Sequence, residues 1–258
     1  MSRLQHSFRH SLEVTNMSKI KRLVSARTLT ALGFVIATQM PHSATQAATS
    51  SEHSACLSAV SSWPSLTVGS RAGIAHNDMT LIAPHGSFDR NTKELALGVG
   101  EQLDANVVWA TDSKAGFTRR INVNRPTEMR WGIDRKTSTA REVFAFFASC
   151  VDKFPSQMSV EIHGDSSKDV VEMATVGVTS GQAATIKAAW GNRFGLPIAI
   201  DAAGDDLLMT AGANKRIGLM SRCKGACLHL EIPSHLRDVE MLNSTTSELA
   251  SFLKAIAP

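Results

Sequence analysis

Two stretches of this 258-residue chain gather side chains that could do chemistry. His76-Asn77-Asp78 and His85, with Asp89 close behind, place two imidazoles and two carboxylates within fourteen residues. Such groups can ligate a divalent metal or exchange protons. The spacing weighs against a shared site, because Met79 to Ala83 alternates as a strand does and leaves His76 and His85 beyond its opposite ends, ~30 Å apart along an extended chain. They meet only if Pro84 turns the path back, so the expectation is two exposed loops and no metal, with His76, Asp78 and His85 as the candidate ligands if one binds. The second stretch, His163-Gly164-Asp165-Ser166, follows the strand-like run Met158 to Ile162. Ser166 could act as a nucleophile with His163 or His235 as its base, given oxyanion donors. A turn between strands explains Gly-Asp-Ser-Ser without any such role.

Gly164-Asp165-Ser166 resembles the nucleophile block of the SGNH hydrolases, and Gly212-Ala213-Asn214 resembles their Gly-x-Asn segment. That resemblance implies serine chemistry at Ser166. The sequence departs from the pattern at Ile232, where an aspartate belongs three residues before His235, and only 92 residues follow Ser166. Ser251-Phe-Leu-Lys254 fits the Ser-x-x-Lys of penicillin-recognising enzymes without its companion motifs. Asp201-Ala-Ala-Gly204-Asp205-Asp206 lacks the alternating ligands of a calcium loop. Gly195-Leu-Pro-Ile-Ala-Ile-Asp201, with Arg222-Cys223-Lys-Gly-Ala-Cys227 and the strand after it, resembles the C-terminal part of the invasion-associated locus B proteins. That resemblance implies an exported envelope protein, although the paired N-terminal cysteines of that family have no counterpart in Cys56 and Cys150, which lie far apart.

The N-terminal region bears on compartment. Lys19, Lys21, Arg22 and Arg27 precede the apolar run Leu29 to Ala37, and small residues gather at Ser43 to Ala48, the order of a secretory leader. Cleavage after Ala47 is expected, with Met17 as an alternative start. A bilayer-spanning helix needs ~20 apolar residues, more than this run supplies. Loss of residues 1–47 takes the basic residues from 27 to 21 and the acidic ones from 23 to 22, so the remaining chain is near neutral. Without a basic patch, nucleic acid and anionic membrane are not expected partners. The four cysteines all follow the leader, and an even number in an exported chain favours pairing. Cys223 and Cys227 face each other across a short loop, which leaves Cys56 to pair with Cys150.

Helical spacing is clear at Thr139 to Phe154, at Thr179 to Phe194 with a Thr-Ser-Gly-Gln capping box and Gly195 as its stop, and from Thr245 onward. A short helix is predicted from Ala55 to Trp63. Strands are predicted at Met79 to Ala83, Leu95 to Val99, Val107 to Ala110, Thr118 to Val123, Glu128 to Ile133, Met158 to Ile162, Val170 to Val178, Leu196 to Ile200 and Leu207 to Met209, with a hairpin about Gly225. Five strand candidates before the first long helix imply a single α+β domain with a mainly antiparallel sheet and three or four helices packed on it. With no convergent polar motif, the expected function is a non-enzymatic periplasmic or secreted envelope protein that binds a protein or surface partner, without a cofactor. The alternative is a small periplasmic hydrolase using Ser166 or a His76/His85 metal site.

Overall fold

A computed structural model describes residues 56, 60–115, 119–167, 169–207 and 217–258. The leader predicted over residues 1–47, the Gly212-Ala213-Asn214 segment and all but the first residue of the Leu207 to Met209 strand lie outside the described residues. Thr49–Pro258 form one compact α+β unit.

The chain begins with β1 (Thr67–Arg71), β2 (His76–Ala83), helix α1 (Thr92–Leu103) and β3 (Ala105–Thr111). A small sheet follows, made of β4 (Lys114–Ala115), β5 (Arg119–Asn122), β6 (Thr127–Arg130) and β7 (Ile133–Arg135). Next come α2 (Ser138–Val151), β8 (Met158–Asp165), β9 (Val171–Val176), α3 (Ser180–Phe194), β10 (Ile198–Ile200), β11 (Ala226–Pro233) and α4 (Val239–Ile256). The main sheet has the order β1-β3-β2-β8-β11-β9-β10. Strands β2, β3, β8 and β11 run parallel to one another, as do β9 and β10, while β1 and β9 run antiparallel to their neighbours β3 and β11. The sheet is therefore mixed, which corrects the expectation of a mainly antiparallel one.

The error traces to one segment. Leu95, Leu97 and Val99 alternate with small residues and read as a strand, yet they belong to α1, whose Leu95, Ala96, Val99 and Leu103 are buried at helical spacing. Gly98 and Gly100 lie inside this helix, where each glycine costs about 1 kcal/mol relative to alanine. Here close packing requires them. A Cβ on Gly98 would lie 2.8 Å from the Thr246 side chain of α4, and one on Gly100 would lie 2.3 Å from Val107 of β3. With α1 restored, β2-α1-β3 is a parallel crossover unit, and parallel strands need such a connection.

One face of the main sheet packs Leu81, Val107, Val160, Ile162, Leu228 and Leu230 against α1, α3 and α4. Trp190 of α3 anchors that layer, 1% exposed, stacked on Phe194 and edge-on to Phe252 of α4. The other face packs Ile82, Val108 and Ala110 against Ile121, Val143 and Phe147 of β5 and α2. Helix α3 carries the Thr179/Gln182 capping box and ends at left-handed Gly195, as predicted. Helix α2 is capped by Thr137 rather than Thr139, and α4 begins at Val239, upstream of the expected Thr245.

The hairpin about Gly225 is replaced by a 3-10 turn, Leu219–Arg222, leading into β11, whose partners are β8 and β9. Cys223 and Cys227 are bonded, with Cα atoms 6.1 Å apart. Cys56 and Cys150 are both buried as free thiols in contact with each other, and burial, together with the hydrogen bond that the Cys150 thiol donates to Cys56, pushes the Cys150 thiol up to about 12. The second bridge is thus not formed in the structure, although the two cysteines meet as the sequence suggested. Of the predicted Ala55 to Trp63 helix, the described residues show a turn at Cys56 and a bridge between Val60 and Trp63. Among the described residues, no helix is long and apolar enough to cross a membrane.

Candidate metal centre

Strand β2 stops at Ala83 because Pro84 follows, and the chain turns at once. The His85 carbonyl accepts hydrogen bonds from the Phe88 and Asp89 amides at 2.9 and 2.7 Å. This single helical turn sets the side chains of His85 and Asp89 on one side before α1 begins. Asn91, in the left-handed conformation at φ 63°, starts α1 and donates from Nδ2 to the Arg237 carbonyl. The buried Arg237 guanidinium returns a hydrogen bond to the Arg90 carbonyl and another to Ile232 at the end of β11. It lies so close to Gly164 that any Cβ there would sit 2.4 Å from its Cζ. The turn is thereby clamped to the ends of β8 and β11.

The third member comes from β8. The parallel register pairs Ile82 with Glu161, so His163, two residues further on, comes level with the turn after β2. His85, Asp89 and His163 each offer a ligand atom within 4.8 Å of the others, and their exposures are 7, 8 and 4%. The Asp89 carboxylate accepts from the Gly164 amide at 3.1 Å and lies 3.8 Å from His163 Nδ1.

Charge at the site is divided sharply. Burial pushes His85 down to about 3, Asp89 opposing and the nearby cations of His163, Arg120 and Arg125 adding to it. Its ring is therefore neutral near pH 7, the form that ligates metals. Burial also disfavours a charged His163, but the neighbouring carboxylates, Asp89 at 3.8 Å and hydrogen-bonded Glu161 at 3.1 Å, overcome it and push this imidazole up to about 10. Asp89 is held below the usual carboxylate range despite its burial, chiefly by His163 and then His85. A proton on His163 thus balances the carboxylates in the protein without metal, and a divalent cation would take over that charge and release the proton.

Behind the site lies a second buried layer. His163 Nε2 faces Glu161 Oε2 at 3.1 Å, and an ionised carboxylate can only accept, so the ring is oriented with Nδ1 toward Asp89. Glu161 is held well below the usual carboxylate range, because donors on His163 and His229 outweigh its burial. Asn124 Nδ2 donates to the same oxygen at 3.2 Å. Glu161, His163 and His229 are also close enough to share a cation, but His163 Nε2 and both nitrogens of His229 already face carboxylate oxygens. That group supports the site rather than forming it.

The fit to a metal rests on one atom. His85 Nδ1 is buried and has no hydrogen-bond partner, a state that costs about 1–3 kcal/mol when nothing occupies it. Two imidazoles and a carboxylate with an open fourth position are the donor set of hydrolytic zinc sites. They open onto a cleft of about 210 Å³ also lined by Phe88, Arg120, Asn122, Arg125 and Glu231, at the C-terminal ends of parallel strands, where α/β sheets bind ligands. A larger cavity of about 470 Å³ lies between α2 and the Cys223–Cys227 loop. It holds none of the candidate ligand triads found among the described residues.

The residues singled out from sequence fare unequally. His85 and His163 are brought together, though not with each other's expected partners. His76 and Asp78 lie at the start of β2 and do not join His85; extended β2 separates them, as the strand spacing implied. Ser166 is exposed at the cleft's rim and, among the described residues, has no hydrogen bond to a histidine, and His235 is exposed in a 3-10 turn after β11. Sequence reasoning does not single out Glu161 or Glu231, and it does not place His229 beside them. Their signal is a strand alternation in which the polar positions are ionisable: Val160-Glu161-Ile162-His163 and Leu228-His229-Leu230-Glu231.

No protein-family model matches the sequence, and no curated protein matches it. Among solved structures, the product of gene Atu2144 from Agrobacterium tumefaciens aligns with a TM-score of 0.52 at 15% identity, over 74% of this chain and 93% of that one. A bacteriophage poly-gamma-glutamate hydrolase aligns at 0.47 and 12%, over 74% and 88%. A metallo-carboxypeptidase from Pseudomonas aeruginosa aligns at 0.44 and 14%, over 74% and 61%. The first supports the architecture described above. The expectation of a non-enzymatic envelope protein rested on the lack of a convergent polar motif, and it is corrected here. The fold brings together five buried ionisable side chains, His85, Asp89, Glu161, His163 and His229, from three separate stretches of the chain.

Proposed function

We propose that this chain is a metal-dependent hydrolase of an acyl bond, with a divalent cation, zinc by its donor set, held by His85, Asp89 and His163. The unpartnered, buried Nδ1 of neutral His85 beside two further ligand atoms carries the reading. When bound, such a cation polarises a carbonyl and acidifies a water molecule. Glu231 faces the cleft with Oε1 held by His229 at 3.1 Å; it accepts the proton of the attacking water and returns it to the leaving group. Arg120 lies over the Phe88 ring at 3.9 Å, and its Nε is buried without a partner. Its fork suits a substrate carboxylate or the carbonyl oxygen as charge develops there. Asn124 Oδ1, equally unpartnered, offers an acceptor for a substrate N–H. The substrate class is therefore an amide with a neighbouring carboxylate. The predicted leader and the Cys223–Cys227 bond support a location outside the reducing cytoplasm.

The test is release of amines from α- and γ-linked glutamyl oligomers. Activity should vanish on chelation and return with zinc, and Glu231→Gln should lower kcat by about 10²–10⁴-fold. Turnover that survives chelation and is abolished by Ser166→Ala would replace this reading with serine chemistry.

A further inference from the structure

The polar layer behind the site contains a group with no part in the proposed chemistry. His229 is 0% exposed in mid-strand on β11, an expensive place for an imidazole unless both nitrogens are satisfied. The parallel register sets His229 beside Glu161 and Glu231 beside His163. His229 Nδ1 faces Glu161 Oε2 at 3.3 Å, and its Nε2 faces Glu231 Oε1 at 3.1 Å. Its ring stacks on that of His163, with centroids 4.0 Å apart and planes 18° from parallel. Glu161 in turn holds His163. One ring thus touches the carboxylate that orients a ligand, the carboxylate that faces the cleft, and the ligand itself.

We infer that His229 is a positioning residue, a single brace that fixes ligand His163 through Glu161 and the base Glu231 directly, so that metal affinity and proton transfer depend on opposite ends of one imidazole. This rests on the metal-hydrolase reading. A merely structural histidine would fill the space between the strands, and its two ends would be interchangeable for function. A brace makes them separable. Outer-shell partners that orient a ligating imidazole are worth about 10–100-fold in metal affinity. The Glu161 end should carry that effect.

Two amide replacements divide the ring. Asn places its amide where Nδ1 stood, and Gln places its amide where Nε2 stood. Both lose the ring and its stacking on His163, so any difference between them reports the hydrogen bonds. His229→Gln keeps Glu231 and loses Glu161, and its zinc affinity by competition titration should fall about 10–100-fold. His229→Asn keeps Glu161 and loses Glu231, so its zinc affinity should stay within about tenfold of wild type. Its kcat on glutamyl oligomers should fall while KM holds. Equal zinc affinity in wild type and both variants overturns the inference while leaving the metal site intact, as does an equal loss in both variants. A wild type that binds no zinc overturns the underlying reading and the inference with it. If either variant fails to melt cooperatively, the Nδ1–H proton of His229 is followed by NMR in the wild-type zinc form. Protection from exchange supports the brace, and rapid exchange overturns it.

Discussion

Replacing His85 by leucine separates a site built for a ligand from one built for stability. In the absence of metal, His85 loses almost nothing: its Nδ1 has no hydrogen-bond partner and its ring, pushed down to about 3, carries no charge near neutrality. The unsatisfied nitrogen costs about 1–3 kcal/mol. Leucine removes that cost and fills comparable space, against lost edge contacts with His163 and Phe88 at 5.1 and 6.4 Å. The metal-free His85→Leu protein should therefore match wild type or gain about 1 kcal/mol. Zinc should reverse the order. A ligand at about 100 times its Kd adds about 2.7 kcal/mol, which for a domain near 200 residues raises the melting temperature by about 5–10 °C. Thermal unfolding of chelator-treated protein, with and without added zinc, measures both quantities. Wild type should shift and His85→Leu should not. A loss of about 3 kcal/mol or more in the metal-free variant, with no zinc shift in wild type, would refute the reasoning and make His85 an ordinary packing residue.

Other expectations concern the surroundings. The buried Glu128, paired with Arg119 and Arg130 at 2.5 and 2.6 Å, is held down at about 2; burial opposes this and the two arginine pairs and Thr137 outweigh it. A depressed carboxylate contributes stability above its unfolded value near 4.5 and loses it as pH falls toward 2. Both arginines are more than a third exposed, so solvent screening reduces that contribution to about 1–2 kcal/mol. Urea melts of wild type and Glu128→Gln should converge as pH falls through that window. Trp131 and Gly132 form the two-residue turn between β6 and β7, with φ of 52° and 76°, and Trp131 is 77% exposed. Asparagine suits that position, so Trp131→Asn should stabilise by about 1 kcal/mol in the same melts. Oxidation with a glutathione disulfide buffer should join Cys56 to Cys150. The product would have a mass lower by two hydrogens than the free-thiol form and about 4 kcal/mol more stability, the gain expected for so long a loop.

Local signals in the sequence were trustworthy where one element decides the outcome. The Thr179/Gln182 box and Gly195 bound α3 as written, and Cys223 and Cys227 pair within one loop. His85 and Asp89, four residues apart, were visible as a possible ligand pair, since one turn sets their relation. His163 was visible only as a residue after a strand. Its place beside them depends on β8 lying next to β2, a neighbour relation fixed across 78 residues by sheet order. That order was misjudged once Leu95 to Val99 was read as extended, because the alternation of Leu95, Leu97 and Val99 with small residues fits both periods and only Thr246, far along the chain, demands Gly98. Glu161, His229 and Glu231 lay in plain alternation with apolar neighbours, but buried ionisable groups show their meaning only when strands from different parts of the chain stand side by side.

Metal analysis of protein purified without chelating steps tests the metal centre most directly. One zinc per chain is expected, located by anomalous scattering between His85, Asp89 and His163 and absent from Asp89→Ala protein. Folded wild-type protein that neither retains nor takes up zinc, or that carries it elsewhere, would contradict the assignment.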